Sequence, residues 1–305
     1  MLASRFCGLL ILLQLGSGIS TIFAEDVKHS LFIAGPEFTG IIGEDDMPIW
    51  DSGKKGARDG FVLENGNVLI AWSNEVLEFD TPSRKVVFRY TLSSENKEIG
   101  TAQRLPSGNT LVTELGPKPT LLELASDGKV VTSIPLLPET DNAHMQTRMA
   151  RKLPNGNYLV PHLLAFKVKE YTPEGKVVNE FKTDREELGG RAAENWPFTA
   201  IRFKNGNTLI NLTHGNKTIE LDSDGKIVWK ISNDDFSEKP FSDPCGGQRL
   251  PNGNTVIASY AAKEGIKLFE VTPEKKIVWK HMKYRAHEFQ VLTTNGVKLE
   301  GVPMK

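Results

Sequence analysis

Cysteine is nearly missing from this chain. Its 305 residues contain two, and one of them, Cys7, lies in a leader-like segment described below. The remaining thiol, Cys245, has no partner within the chain, so an intrachain disulfide is excluded. Excess charge of either sign is missing too. There are 37 Lys and Arg against 38 Asp and Glu, a balance that gives no reason to expect nucleic acid or an anionic membrane as partner. Long hydrophobic runs are also absent. The most apolar stretch, residues 9–15 (LLILLQL), falls well short of the roughly 20 residues that a membrane span needs. No long segment keeps a 3.6-residue apolar period, so little helix is expected.

The first 24 residues differ from the rest. Arg5 precedes the short apolar run, and one small residue, Ala24, closes the segment. This order describes a secretory signal peptide. The domain boundaries expected are therefore 1–24 for the signal and 25–305 for a single folded domain, secreted or periplasmic. With one mature cysteine its stability must come from a core, and its length is ample for one.

What the sequence has in abundance is one turn. Residues 250–254 and 153–157 both read LPNGN, and 105–109 (LPSGN), 203–207 (FKNGN) and 63–67 (LENGN) are near copies. A degenerate sixth ends at Gly296. The turn glycines are 42, 48, 50, 47 and 43 residues apart. Periods of this size belong to solenoids and propellers. Asn-Gly suits a hairpin turn with positive φ at both central residues. A β-rich strand follows each turn, then a third strand carrying Glu78, Glu123, Glu170, Glu220 or Glu270. A second turn (DSDGK at 222–226, TPEGK at 172–176) leads to a β-branched fourth strand. Four short antiparallel strands per repeat describe a propeller blade.

The expected fold is all-β: a six-bladed β-propeller closed by strands from both termini, with seven blades as the alternative. Five blades are complete in sequence. The sixth is expected to take two strands from residues 29–49 and two from 284–298. Six residues before the turn glycine, small side chains recur (Gly60, Ala102, Ala150, Ala200, Gly247), as crowding near an axis requires. Two residues later the position is basic in four units: Arg104, Lys152, Arg202 and Arg249. The repeated glutamates offer each a partner. Trp229 and Trp279 recur at one blade position and are expected in the core.

The unit LPNGN-T-(L/V)-(I/V), then Glu, then DGK-(I/V)-V-W, resembles the repeats of quinoprotein-like β-propellers. These include PQQ-like repeat proteins and the arylsulfotransferase-type six-bladed propellers. The resemblance covers nearly all of residues 25–305 and speaks to fold more than to activity. The chain is too short for an eight-bladed quinoprotein dehydrogenase and shows neither a vicinal cysteine pair nor an acidic calcium cluster. PQQ and other cofactors are therefore not expected, and no metal site is assigned, although His144 and His287 could hold a metal with Glu288 or Asp243. The arylsulfotransferase likeness implies a histidine acceptor with Arg and His neighbours, but no complete catalytic motif is present.

Function should reside where the repeat lapses. The connections between blades, about 89–100, 134–148, 182–198, 231–246 and 280–287, converge on one face of a propeller and are its non-repeating part. DNAHMQTR at 141–148 supplies His144, Gln146 and Arg148. GRAAENWPF at 190–198 supplies Arg191, Glu194, Asn195 and Trp196. RAHEFQ at 285–290 supplies His287, Glu288 and Gln290. Lys55, Arg58 and Asp59 precede the first blade, and Asp243 and Cys245 the fifth.

His144 and His287 could act as nucleophiles, with Arg58, Arg148 or Arg191 holding a transferred anion. They could equally hydrogen-bond loop backbone. Trp196 is a stacking platform or a channel plug, and Cys245 a reactive thiol or a small buried residue. NLT at 211–213 and NKT at 216–218 are glycosylation sequons in a eukaryotic secretory route. The function expected is binding of a small polar or anionic ligand, or of a protein partner, by a monomer without membrane insertion. A histidine-dependent group-transfer enzyme is the alternative. A purely structural module would show no deep pocket.

Overall fold

The computed structural model describes residues 26–137, 139–301 and 303–305. The expected signal peptide lies outside the described residues. Six antiparallel sheets form a ring. Blade 1 comprises Asp59–Val62, Val68–Ala71, Glu75–Phe79 and Val86–Thr91. Blades 2 to 5 repeat that meander, beginning with inner strands Glu98–Arg104, Arg151–Lys152, Asn195–Arg202 and Pro244–Arg249. Inner strands of neighbouring blades touch around a central channel. Among the described residues helix is confined to four single 3-10 turns, and the seven-blade alternative is excluded.

Closure differs from expectation. The sixth blade takes its inner strand, Glu288–Thr294, from the C-terminal side, and three strands, His29–Ala34, Thr39–Ile42 and Pro48–Asp51, from the N-terminal side. Second strands of blades lie between two others and are buried on both faces, as Val68–Ala71 and Tyr158–His162 are. His29–Ala34 (HSLFIA) is buried at every position, so it fills that place. Val297–Lys298 makes only a short pairing on the other side of the inner strand. Beyond it the chain turns back toward the channel, where Arg249 N–H donates to the Met304 carbonyl at 3.0 Å.

The repeated turn has a different geometry from the one expected. Gly66 N–H donates to the Leu63 carbonyl, and Leu63 N–H to the Asn67 carbonyl. Gly66 has φ +85°, whereas Asn65 is not left-handed. This is a type I turn followed by a left-handed glycine, not a turn with both central residues at positive φ. It also explains the prolines: type I favours Pro at its second position, where Pro106, Pro154 and Pro251 stand.

The asparagine that ends each turn has a purpose beyond the turn. Asn67, Asn109, Asn157, Asn207 and Asn254 donate to Glu78, Glu123, Glu170, Glu220 and Glu270 of their own blades. Each glutamate also reaches the next blade. Arg104 pairs with Glu78, Lys152 with Glu123, Arg202 with Glu170 at 3.2 Å and Arg249 with Glu220 at 2.7 Å. At the closing blade His29 Nε2 takes this place, 2.7 Å from Glu270. The repeat therefore encodes turn, strand register and blade junction together.

Glu170 accepts from Asn155, Asn157 and Arg202 and is buried. Glu170→Ala is expected to cost about 2–3 kcal/mol in urea unfolding, because three donors lose a charged partner. Glu180→Ala, which removes only a half-exposed pair with Lys167, is expected to cost less than about 1 kcal/mol.

The small residues before the turns pack as expected. A Cβ on Gly60 would lie 2.7 Å from both the Leu69 carbonyl oxygen and the Phe32 ring. Trp229 and Trp279 are a correction. They are half-buried on outer strands and pack at blade edges rather than inside the core. Trp229 Nε1 donates to the Pro273 carbonyl of the next blade at 2.9 Å.

Candidate functional site

At one end of the channel a cavity of about 150 Å³ opens between the inner strands. Its lining includes Arg58, His144, Arg148, Trp196, His214, Asp243, Cys245, Tyr260 and His287. One wall is cationic. Arg58 Nη1, Arg148 Nη2 and His144 Nδ1 all approach Glu98 Oε1, at 2.7, 3.1 and 3.3 Å. Glu98 opens the second inner strand, so it faces the axis. Burial works to raise its carboxyl, but His144, Arg148 and Arg58 outweigh that and hold it down to about 2. Burial lowers Arg148 to about 10, which still leaves it charged at neutral pH.

The opposite wall is built on unusual backbone. Glu194, His214 and Asp243 all have positive φ, at 47°, 57° and 47°. His214 bridges the two carboxylates, 3.0 Å from Glu194 and 3.6 Å from Asp243. Left-handed non-glycine residues store strain and cluster at functional sites. His214 stacks on Trp196 with ring centres 4.7 Å apart. Tyr260 stacks on His287 at 4.0 Å. Apolar side chains of Leu163, Phe198, Met145 and Cys245 complete the lining.

His287 Nδ1 lies 3.2 Å from the Ala57 carbonyl. A carbonyl only accepts, so Nδ1 carries the proton and Nε2 keeps its lone pair. Among the described residues Nε2 has no hydrogen-bond partner. Burial pushes the imidazole down to about 3, with Arg148 and Arg58 adding to the effect against the Ala57 bond. At neutral pH this side chain is therefore an uncharged base.

The family model described as Mal s 1 allergenic protein-like matches residues 35–243. The chain belongs to that family. The matched span carries both walls of the cavity, from Arg58 to Asp243, while Cys245, Tyr260 and His287 lie beyond it. Among curated proteins none matches. A solved Bacteroides caccae protein of unknown function is 22% identical, with a TM-score of 0.73; the alignment covers 86% of this chain and 98% of that one. Virginiamycin B lyase from Staphylococcus aureus is 15% identical, TM-score 0.54, with 74% and 69% covered. Its catalytically inactive histidine-to-alanine variant, solved with quinupristin, is 14% identical, TM-score 0.55, with 76% and 71% covered. These likenesses concern the propeller fold. The family is thus Mal s 1-like, and the quinoprotein-like resemblance holds at the level of the propeller.

In this Mal s 1-like chain the cavity gathers His144, His287, Arg58, Arg148 and Trp196 from the residues singled out in the sequence. Four others lie elsewhere. Gln146 is buried and clasps the Gly116 N–H and carbonyl at 2.9 Å each, so it is a loop latch. Arg191 is exposed, pairs with Asp184 at 3.1 Å and covers Phe166. Gln290 bonds the Val62 backbone of the adjacent blade. Glu288 points into a charged layer inside the ring, with Asp59, Arg151 and Lys305.

The remaining residues are also placed. Lys55 contributes a carbonyl to Trp72, and Asn195 ties Leu188 to Lys217. Cys245 is buried, and burial pushes its thiol well up; it is a packed apolar residue, not a reactive one. Asn211 is buried and donates to the Cys245 and Gly246 carbonyls, so the first sequon is unavailable to a glycan in the folded protein.

Sequence reasoning missed Glu98, Leu163, Thr213, His214 and Tyr260. The last four sit on or beside turns between second and third strands. In a four-strand meander those turns return to the same face as the blade-to-blade connections. For Thr213 and His214 a signal was available: the HGNK turn at 214–217 has no counterpart in the repeat.

Proposed function

We propose that this Mal s 1-like propeller is an exported binding protein whose mouth cavity takes a small anionic molecule. The observation that carries the reading is the pair of arginines, Arg58 and Arg148, converging on one carboxylate at a concave site. Two guanidinium groups share one carboxylate. Arg148 also donates to the Thr147 and His144 carbonyls, whereas among the described residues Arg58 uses only Nη1, on Glu98 and the Ile99 carbonyl, and keeps donors free for a second acceptor. The leader-like residues 1–24 support export, and the closed ring supports action as a monomer. The reading requires no cofactor.

Titration calorimetry with inorganic sulfate, acetate and benzoate tests it. At least one anion is expected to bind, and Arg58→Gln to weaken that binding by roughly ten- to a hundredfold, as loss of a charge-assisted contact of about 1.5–3 kcal/mol implies. Absence of binding by all three, or an unchanged affinity in Arg58→Gln, overturns the reading.

A second reading is favoured by His287. A neutral imidazole with an unpartnered Nε2 beside two arginines is arranged as a nucleophile or general base for group transfer. A histidine-to-alanine change abolishes catalysis in the staphylococcal lyase, which shows histidine chemistry on a related fold. Release of 4-nitrophenol from 4-nitrophenyl sulfate with a phenol acceptor tests this in wild type, His144→Ala and His287→Ala. Turnover lost in His287→Ala with an unchanged melting temperature supports the enzyme. No turnover in the folded wild type removes this transfer reaction.

A further inference from the structure

The cavity specifies its ligand more closely than charge alone. Glu98 neutralises one of the two arginines, and all its donors crowd the same oxygen. Among the described residues neither guanidinium has another carboxylate within ion-pair distance. One guanidinium charge therefore has no carboxylate of its own on a wall where the Arg148 side chain is only 3% exposed, because Asp243, which lines the same cavity, is turned to His214 at 3.6 Å. A buried charge is costly unless paired, so an anionic group is the natural occupant of this wall.

The rest of the lining is flat and apolar. Trp196 lies on His214 with planes 15° apart, and Tyr260 on His287 with planes 23° apart. Phe198, Leu163 and Met145 fill the space between cavity and core. Aromatic faces and edges favour stacked or edge-on contact with another ring. A volume of about 150 Å³ matches the size of an engineered apolar cavity that holds benzene, so one ring fits.

We propose that the ligand is a single-ring aromatic anion of the carboxylate class. Its ring lies against the Trp196–His214 and Tyr260–His287 stacks, and its carboxylate faces Arg58 and Arg148. This rests on the reading of the cavity as a small-anion site and names the class of anion.

The test is calorimetric titration of the full chain with benzoate, acetate and benzyl alcohol. Benzoate is expected to bind at least about tenfold more tightly than either of the others, since it alone offers both ring and charge. Trp196→Leu is expected to close the gap between benzoate and acetate while leaving acetate binding unchanged. If Trp196→Leu does not fold, Tyr260→Leu serves the same purpose. Equal affinities for acetate and benzoate overturn the aromatic assignment and leave the small-anion reading standing. Equal affinities for benzyl alcohol and benzoate, or no binding of any probe, overturn both.

Discussion

Arg151→Met should be among the most destabilising single changes in this protein, with an expected loss of about 3–5 kcal/mol. Arg151 occupies the channel interior beneath the mouth cavity. Its side chain is 6% exposed and forks onto both oxygens of Asp59, at 2.8 and 3.0 Å, with Glu288 at 3.5 Å. It also donates to the carbonyls of Ala150 and Lys305. Asp59 and Glu288 are both fully buried. Burial already raises the Glu288 carboxyl and lowers the Lys305 ammonium to about 8. Removing Arg151 leaves two buried carboxylates with Lys305 as their one remaining cation.

Methionine keeps the volume, so the loss reports charge rather than a void. Urea unfolding measures it. Arg285→Met, which breaks a rim pair with exposed Glu37, is expected to cost less than about 1 kcal/mol. A comparable small loss for Arg151→Met would mean that water enters the layer. Asp59→Asn combined with Arg151→Met should then cost less than the sum of the single changes, because the two groups share one network.

The second large effect is acid sensitivity that begins above the usual carboxylate range. His287 is held down to about 3 in the folded protein, against about 6.5 for an unfolded histidine. Between those values the unfolded chain binds a proton that the folded chain refuses. Stability therefore falls as pH drops from about 6.5 toward 3, by up to about 1.4 kcal/mol per pH unit for each such group. Burial lowers His162 and His281 in the same direction. Glu98 adds its share below about 4.5, until it is protonated near 2.

Urea unfolding at intervals from pH 7 to 4 should show stability falling with pH, the three histidines outweighing the opposite effect of Glu288, whose carboxyl burial raises. His287→Gln, able to keep a donor to the Ala57 carbonyl, should flatten the slope between pH 6 and 4 by roughly one proton equivalent. An unchanged slope would show that His287 is solvated and ionises normally, and would remove the basis for treating it as a neutral base.

The blade architecture was legible because the same contacts are written five times. A turn glycine, the asparagine after it and, in four blades, a basic residue four before it recur at fixed offsets, and a third-strand glutamate follows in every complete unit. In the structure they are bonded to one another, as Asn157, Glu170 and Arg202 illustrate. Closure was less legible because it occurs once. Asn295-Gly296 looks like every other hairpin, yet the chain after it makes only a short pairing and then enters the channel. The strand that completes the blade, His29–Ala34, begins 259 residues before Glu288.

The site was half legible for a related reason. Connections between blades stood out as non-repeating, and they brought in His144, Arg148, Trp196 and His287. Whether a side chain there turns toward the axis or latches its own loop depends on local backbone. Gln146 and Arg148 are two residues apart; one clasps Gly116 and the other reaches Glu98. No spacing rule separates them. Glu194 and Asp243 stood out in the connections, but the His214 that joins them was hidden because it comes from a tight hairpin, a place where repeats usually carry only turn chemistry.

The measurement that tests the small-anion cavity most directly is anomalous diffraction from crystals soaked in selenate. The account predicts a selenium peak inside the mouth cavity, in hydrogen-bond reach of Arg58 and Arg148, and its loss in Arg58→Gln crystals. Peaks confined to exposed lysines on the outer strands, with the mouth cavity holding only water, would contradict it.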